Sequence, residues 1–218
     1  MRDRIYFDIE TLPTDNQSVI DDIAKSIKPP ATHKKQETID AWMAENKEAV
    51  TKEAVHKTGL SGLYGRIVCI GFAINDEECQ IVSQIGQGEA DMINSFFDSI
   101  SELRATVFIG HNIAGFDLQF LKHRCIILGI TPPRNIKTAM TAKPWDGCIN
   151  DTMLMWSSSS QDRVSQDKLA KALGLTGKTD MDGSMVADMW LQNPDKVIQY
   201  CIDDVEQNRE IHKRLLIV

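Results

Sequence analysis

Ile5-Tyr6-Phe7-Asp8-Ile9-Glu10-Thr11-Leu12 is the stretch that decides the reading of this 218-residue chain. Ile5, Phe7 and Ile9 alternate with Tyr6, Asp8 and Glu10, the two-residue period of a β-strand, so the two carboxylates project side by side from one face. On an exposed strand such a pair is solvated surface. Here the apolar flanks mark a central strand, whose end is where ligands bind in open α/β sheets. Acids rarely enter buried segments without a partner, and several acids without matching cations call for a hard divalent metal.

Two further acidic contexts stand far along the chain. His111-Asn112-Ile113-Ala114-Gly115-Phe116-Asp117 follows a short apolar run, Thr106 to Ile109, and leads into a helix expected over 115–128 that Gly129 and Pro132-Pro133 stop. Asp117 alone is explained equally well as an acid at a helix N-terminus. Tyr200 and Asp204 are four residues apart and share one face of a last helix that opens at Asn193-Pro194. Val197, Cys201, Ile202 and Val205 show that this helix is packed, so the Tyr and Asp edge a cleft. Spacing from Tyr200 does not separate Asp204 from Asp203.

The remaining pattern is that of an α/β layer fold with a mixed sheet. Residues 66–74 and 79–85 read as a hairpin turned at Asn75-Asp76-Glu77, and 89–103 carry a helical apolar period. Residues 130–150 read as loop with a short edge strand, 151–156 and 165–173 as short helices, and Ser157 to Ser160 as a polar loop. Segment 14–62 is polar, rich in lysine and glutamate and broken at Pro29-Pro30, which predicts two inserted helices between the first two strands. It is too weakly apolar for a separate domain, so residues 1–218 are expected to form one.

A net charge of −7 disfavours a protein that coats nucleic acid, since that affinity comes largely from lysine and arginine. Acids gathered around metals distort the count, so an enzyme that visits nucleic acid stays compatible. The five cysteines form no Cys-x-x-Cys pair, which argues against a zinc site or disulfide framework and for a reducing, cytoplasmic setting. No signal peptide or membrane-spanning run is evident. A two-carboxylate glycosidase would leave the other acids unexplained.

Taken jointly, Asp8-Ile9-Glu10, Asn112 through Asp117 and Tyr200-x-x-x-Asp204 resemble the three ordered motifs of the DEDD superfamily of 3′–5′ exonucleases, in its tyrosine subtype. The resemblance is nearest to proofreading-type exonuclease domains related to family B DNA polymerases. Asp167 to Leu175, Gly177-Lys178 and Asp182-Gly183-Ser184 strengthen that match. It implies a ribonuclease H-like fold, a mixed β-sheet flanked by helices, and two-metal phosphodiester hydrolysis with Mg²⁺ or Mn²⁺ ions about 3.5–4 Å apart.

By the same resemblance, Asp8 bridges the ions, Glu10 and Asp204 complete one metal site, and Asp117 serves the other. Tyr200 orients the nucleophilic water. Thr11 and Leu12 contact the terminal nucleotide, with His111, Asn112 and Phe116 facing the same cleft. Phe116 reads somewhat more readily as core, and His111 as loop packing, since hard metals prefer oxygen. Asp151, after the second motif, stays outside the catalytic set as a helix cap. Lys25, Lys28, His33, Lys34 and Lys35 form the densest basic stretch, able to guide a strand. The implied partner is nucleic acid, single-stranded DNA before RNA. The alternatives are an exoribonuclease and a catalytically silent nucleic-acid-binding module.

Overall fold

The computed structural model describes residues 2–217 except 105, 144, 158–161 and 176–180. Gly177-Lys178 and the serines at 158–160 therefore lie outside the described residues. The chain begins with β1 (Asp3–Leu12), and the insertion follows as α1 (Gln17–Ser26), α2 (Gln36–His56) and a 3₁₀ turn at Lys57–Leu60. Then come β2 (Arg66–Ile74), β3 (Gln80–Ser83), α3 (Glu89–Ile100), β4 (Thr106–Gly110) and α4 (Asp117–Leu128). The rest is α5 (Arg134–Ala139), β5 (Ile149–Asp151), α6 (Thr152–Trp156), α7 (Gln166–Ala172), a 3₁₀ turn at Gly183–Met185, α8 (Val186–Gln192) and α9 (Pro194–Leu215).

The strands order as β3-β2-β1-β4-β5. The hairpin side is antiparallel to β1, whereas β4 and β5 run parallel to it. This mixed sheet, with helices on both faces and a helical insertion between β1 and β2, is the ribonuclease H-like arrangement. The alternation in β1 is realised on two buried faces. Ile5, Phe7 and Ile9 enter the main core beneath α3 and α4, where the Phe7 ring stacks on Phe96 with centroids 5.3 Å apart. Full burial of a ring such as Phe96 contributes about 2–3 kcal/mol. Tyr6 faces the opposite way, among Ala73, Val107, Ile109 and the α9 residue Val205.

Three features fix the elements that later carry the acids. Arg124 of α4 forms a two-pronged ion pair with Glu89 of α3 (2.9 and 2.8 Å), and Glu89 also accepts from the Ile67 N–H of β2. Gly129 adopts a left-handed φ of 70° and its N–H caps the Cys125 carbonyl, which ends α4. His212, in the last turn of α9, lies between the Tyr6 hydroxyl (3.1 Å) and the Asn150 amide (3.0 Å), tying that helix to β1 and β5.

The insertion is helical as expected, but neither of its helices contains a fully buried residue. It is sewn to the end of β1 instead. Thr11 Oγ1 donates to the Gly59 carbonyl (2.7 Å), and the Thr14 N–H donates to Thr58 Oγ1 (2.9 Å).

Three expectations need correction. Segment 130–150 is not simply loop with an edge strand: α5 forms after Pro133 because Ile136 and Ala139 one turn apart bury against the core. The 3₁₀ turn and α8 between Gly183 and Gln192 form in a stretch to which no helix was assigned. The helix expected to reach residue 103 stops at Ile100, because Asn135 Nδ2 donates to the Ile100 and Leu103 carbonyls and pulls the chain into a turn.

Candidate active site

β1 outruns its parallel neighbour. Its pairing with β4 extends from Asp3 opposite Thr106 to Tyr6 opposite Ile109, so Asp8, Ile9 and Glu10 lie beyond the last pair on that side. The chain leaves β4 there and β2 continues on the other side, which opens a crevice at the carboxyl ends of two parallel strands. The pairing register with β2 also shifts between Glu10 and Thr11, an irregularity of the kind that re-aims side chains beside functional sites.

Asp117 enters this crevice from α4. Its Oδ1 accepts the N–H of Ile9 at 3.2 Å, the backbone group between Asp8 and Glu10 that β4 is too short to reach. The loop delivering Asp117 is shaped by a buried acid: Asp151 accepts from the N–H groups of Asn112 (3.0 Å) and Ala114 (3.2 Å) while capping α6 through Met153 (3.1 Å). Asn112 can therefore hold a left-handed φ of 61°, a conformation that asparagine tolerates better than most residues.

α9 supplies the rest. Tyr200, Cys201 and Asp204 are buried on its sheet-facing side, whereas Asp203 turns outward to Gln199 (2.9 Å). The helix can come this close because Gly71 of β2 lies opposite Asp8. A Cβ there would meet Cys201 Sγ at 2.9 Å and the Cys201 carbonyl at 3.3 Å. Gln166 of α7 donates to both the backbone and the side chain of Asp204 (3.0 and 3.3 Å). Neither Gly71 nor Gln166 was legible as part of a site, since each acts on an acid from another element.

The acids sense one another. Asp8, Glu10 and Cys201 place one donor atom each within 4.8 Å of one another. Burial, reinforced by the charges of Asp151 and Asp204, pushes the Asp117 carboxyl well above the usual range, against the two N–H groups that bond it. Burial, then the charges of Asp204, Glu10 and Asp8, raises the Tyr200 phenol, which also donates a hydrogen bond to Asp204. Tyr200 is thus a protonated donor at neutral pH. Its contact with Cys69, then burial, raises the Cys201 thiol, so the sulfur stays protonated beside Asp8 Oδ2 at 3.8 Å.

This donor chemistry fits a hard divalent cation. Crowded, largely buried carboxylate oxygens are what Mg²⁺ or Mn²⁺ takes, and a neutral thiol is a poor ligand for either. The other expected residues are placed as follows. Leu12 is buried against Val197 and Tyr200, and the Thr11 hydroxyl is engaged on the insertion. His111 bridges Thr152 (3.1 Å) and the Val164 carbonyl (2.8 Å). Phe116 is half-buried against Phe120, with centroids 5.6 Å apart.

Comparison with known proteins speaks to the family and the fold. The family described as "Predicted 3'-5' exonuclease related to the exonuclease domain of PolB" matches residues 60–209. No curated protein matches. Among solved structures, the family B DNA polymerase from the hyperthermophilic archaeon Pyrobaculum calidifontis superposes with a TM-score of 0.61 over 99% of this chain. At 16% identity that similarity speaks for the fold alone, and the chain spans 25% of the length of that polymerase. With the family match extending from the last residue of the insertion's 3₁₀ turn to within α9, the chain belongs to the exonucleases related to the exonuclease domain of PolB.

Proposed function

We propose that this protein is a metal-dependent 3′–5′ exonuclease that removes nucleoside 5′-monophosphates one at a time from DNA, with single strands preferred. The observation that carries the reading is that Asp117 of α4 bonds the Ile9 N–H between Asp8 and Glu10, while Asp204 of α9 lies near enough to act on both Asp117 and Tyr200, where β1 outruns β4.

In this reading Asp8, Glu10 and Asp204 would hold one divalent cation, and Asp117 would serve a second. When bound, such ions would supply charge neutralisation at the phosphate and lower the pKa of water. The chain's own groups do the positioning. Tyr200, kept protonated by its surroundings and donating to Asp204, would accept a hydrogen bond from the attacking water and so turn its lone pair toward the scissile bond. Gln166 keeps the Asp204 carboxylate turned toward the crevice. The new P–O bond forms from water as the P–O3′ bond breaks. Both protons of the water leave it, one reaching the departing 3′-oxygen and the other solvent, which gives a nucleoside 5′-monophosphate and a free 3′-hydroxyl.

Asn112 and the exposed edge of Phe116 flank the terminal sugar and base. Thr11 and Leu12 contribute through their main chain, their side chains being engaged elsewhere. The lysines around Pro29-Pro30, on the insertion that springs from the end of β1, guide the strand inward. His111 supports the loop through its two ring nitrogens.

The test uses 5′-labelled single-stranded DNA and RNA of one sequence, with Mg²⁺, Mn²⁺ or chelator. A ladder shortening from the 3′ end of DNA only with metal is expected. Faster shortening of RNA would reassign the substrate, and binding without shortening would reduce the protein to a silent module.

A further inference from the structure

The opposite end of the sheet carries a second concave surface of inverse charge. A cleft of about 840 Å³ opens where β1 begins and β4 begins, and Arg2, Arg104 and Arg134 line it together with Ser101, Asn135 and Thr138. Among the described residues lining it there is no aspartate or glutamate. Three exposed guanidinium groups on a chain of net charge −7, with no carboxylate among the residues lining the cleft, make a positive surface suited to an anion.

The cleft is also built rather than incidental. Arg2 donates to the Gly147 carbonyl, which anchors its guanidinium on the wall. Asn135 fixes the turn presenting Ser101 and Arg104 through its bonds to Ile100 and Leu103. Asp3 starts β1 and Glu10 lies seven residues further, so at about 3.3 Å per residue the cleft stands on the order of 20 Å from the acids.

We propose that the Arg2–Arg104–Arg134 cleft binds a phosphate-bearing ligand at a site separate from the acidic crevice. Planar guanidinium forks match phosphate oxygens two by two, and the hydroxyls of Ser101 and Thr138 complete a polar lining. The volume suits a mononucleotide, and the same chemistry would accept the phosphates of a nucleic-acid strand.

Binding is tested on the intact protein in chelator, where the acidic crevice repels phosphate and no strand is cut. Calorimetric titrations use inorganic phosphate, dAMP and a 5′-phosphorylated single-stranded oligonucleotide. Saturable binding is expected for at least one probe, weakened about tenfold or more in Arg104→Ser/Arg134→Ser and partly in Arg134→Lys, which keeps the charge without the fork. Both arginines are exposed, so circular dichroism and Tm should match wild type. Binding of phosphate or dAMP identifies a small ligand; binding of the oligonucleotide alone identifies a strand. Absence of saturable binding below about 1 mM for all three, or equal binding by the double variant, overturns the proposal.

Discussion

Acidification should loosen the helix that carries Tyr200 and Asp204, through His212. This imidazole is 1% exposed. The Asn150 amide donates to its Nε2, so the ring proton sits on Nδ1 and points at the Tyr6 hydroxyl oxygen. Burial, with a smaller contribution from Arg4, lowers its pKa to about 4. A histidine depressed from about 6.5 binds protons in the unfolded chain first, so its contribution to stability is complete above 6.5 and is lost as pH falls toward 4. At about 1.4 kcal/mol per unit the full loss is ~3 kcal/mol, of which ~2 kcal/mol falls between pH 7.5 and 5.

His212→Gln supplies the reference, because a neutral amide of similar reach does not titrate. Urea unfolding in chelator from pH 7.5 to 5 should show wild type losing its advantage over the variant by about 2 kcal/mol. The comparison cancels carboxylates common to both proteins. Parallel stability curves for the two would refute the assignment of His212 as a neutral buried link between α9, β1 and β5.

Two substitutions probe the crevice itself. Gly71→Ala adds a methyl group within 2.9 Å of Cys201 Sγ and should push α9 outward, costing about 1–3 kcal/mol in thermal unfolding and a larger share of any nuclease kcat than of KM. Unchanged stability would show that the helix does not rest on that glycine. Asp117→Asn keeps an oxygen for the Ile9 N–H but removes a buried ionisable group whose charged form faces Asp151 and Asp204. It should raise the Tm of the metal-free protein while lowering hydrolysis on the order of 100-fold, and a lowered Tm would deny the crowding.

What was legible in the sequence follows from the range of the forces concerned. β1, α3 and α9 carry an apolar period long enough to declare itself, β2 and β4 read as unbroken apolar runs, and Gly129 and Pro194 mark the end of α4 and the start of α9 through local backbone chemistry. α5 and α8 did not declare themselves. They are six and seven residues long, and each is held by one or two side chains that find a core only after the chain has folded.

The same divide runs through the site. Asp8, Glu10, Asp117, Tyr200 and Asp204 stood out as acids and a tyrosine in ordered motifs, and burial separates Asp204 from the outward Asp203. Gly71, Cys201 and Gln166 could not be found that way, because their part depends on α9 crossing β2 and meeting α7. Asp151 was visible as a cap, yet its grip on Asn112 and Ala114 depends on β5 lying beside β4.

The central claim is that acids from three distant segments form one site for divalent cations. Mn²⁺ titration of the intact protein, followed by the loss of free-ion signal in electron paramagnetic resonance with dAMP present, measures this directly. The account predicts two ions per chain, with binding lost in Asp8→Asn and one ion lost in Asp117→Asn. Full Mn²⁺ binding by Asp8→Asn, or none by wild type, would contradict it.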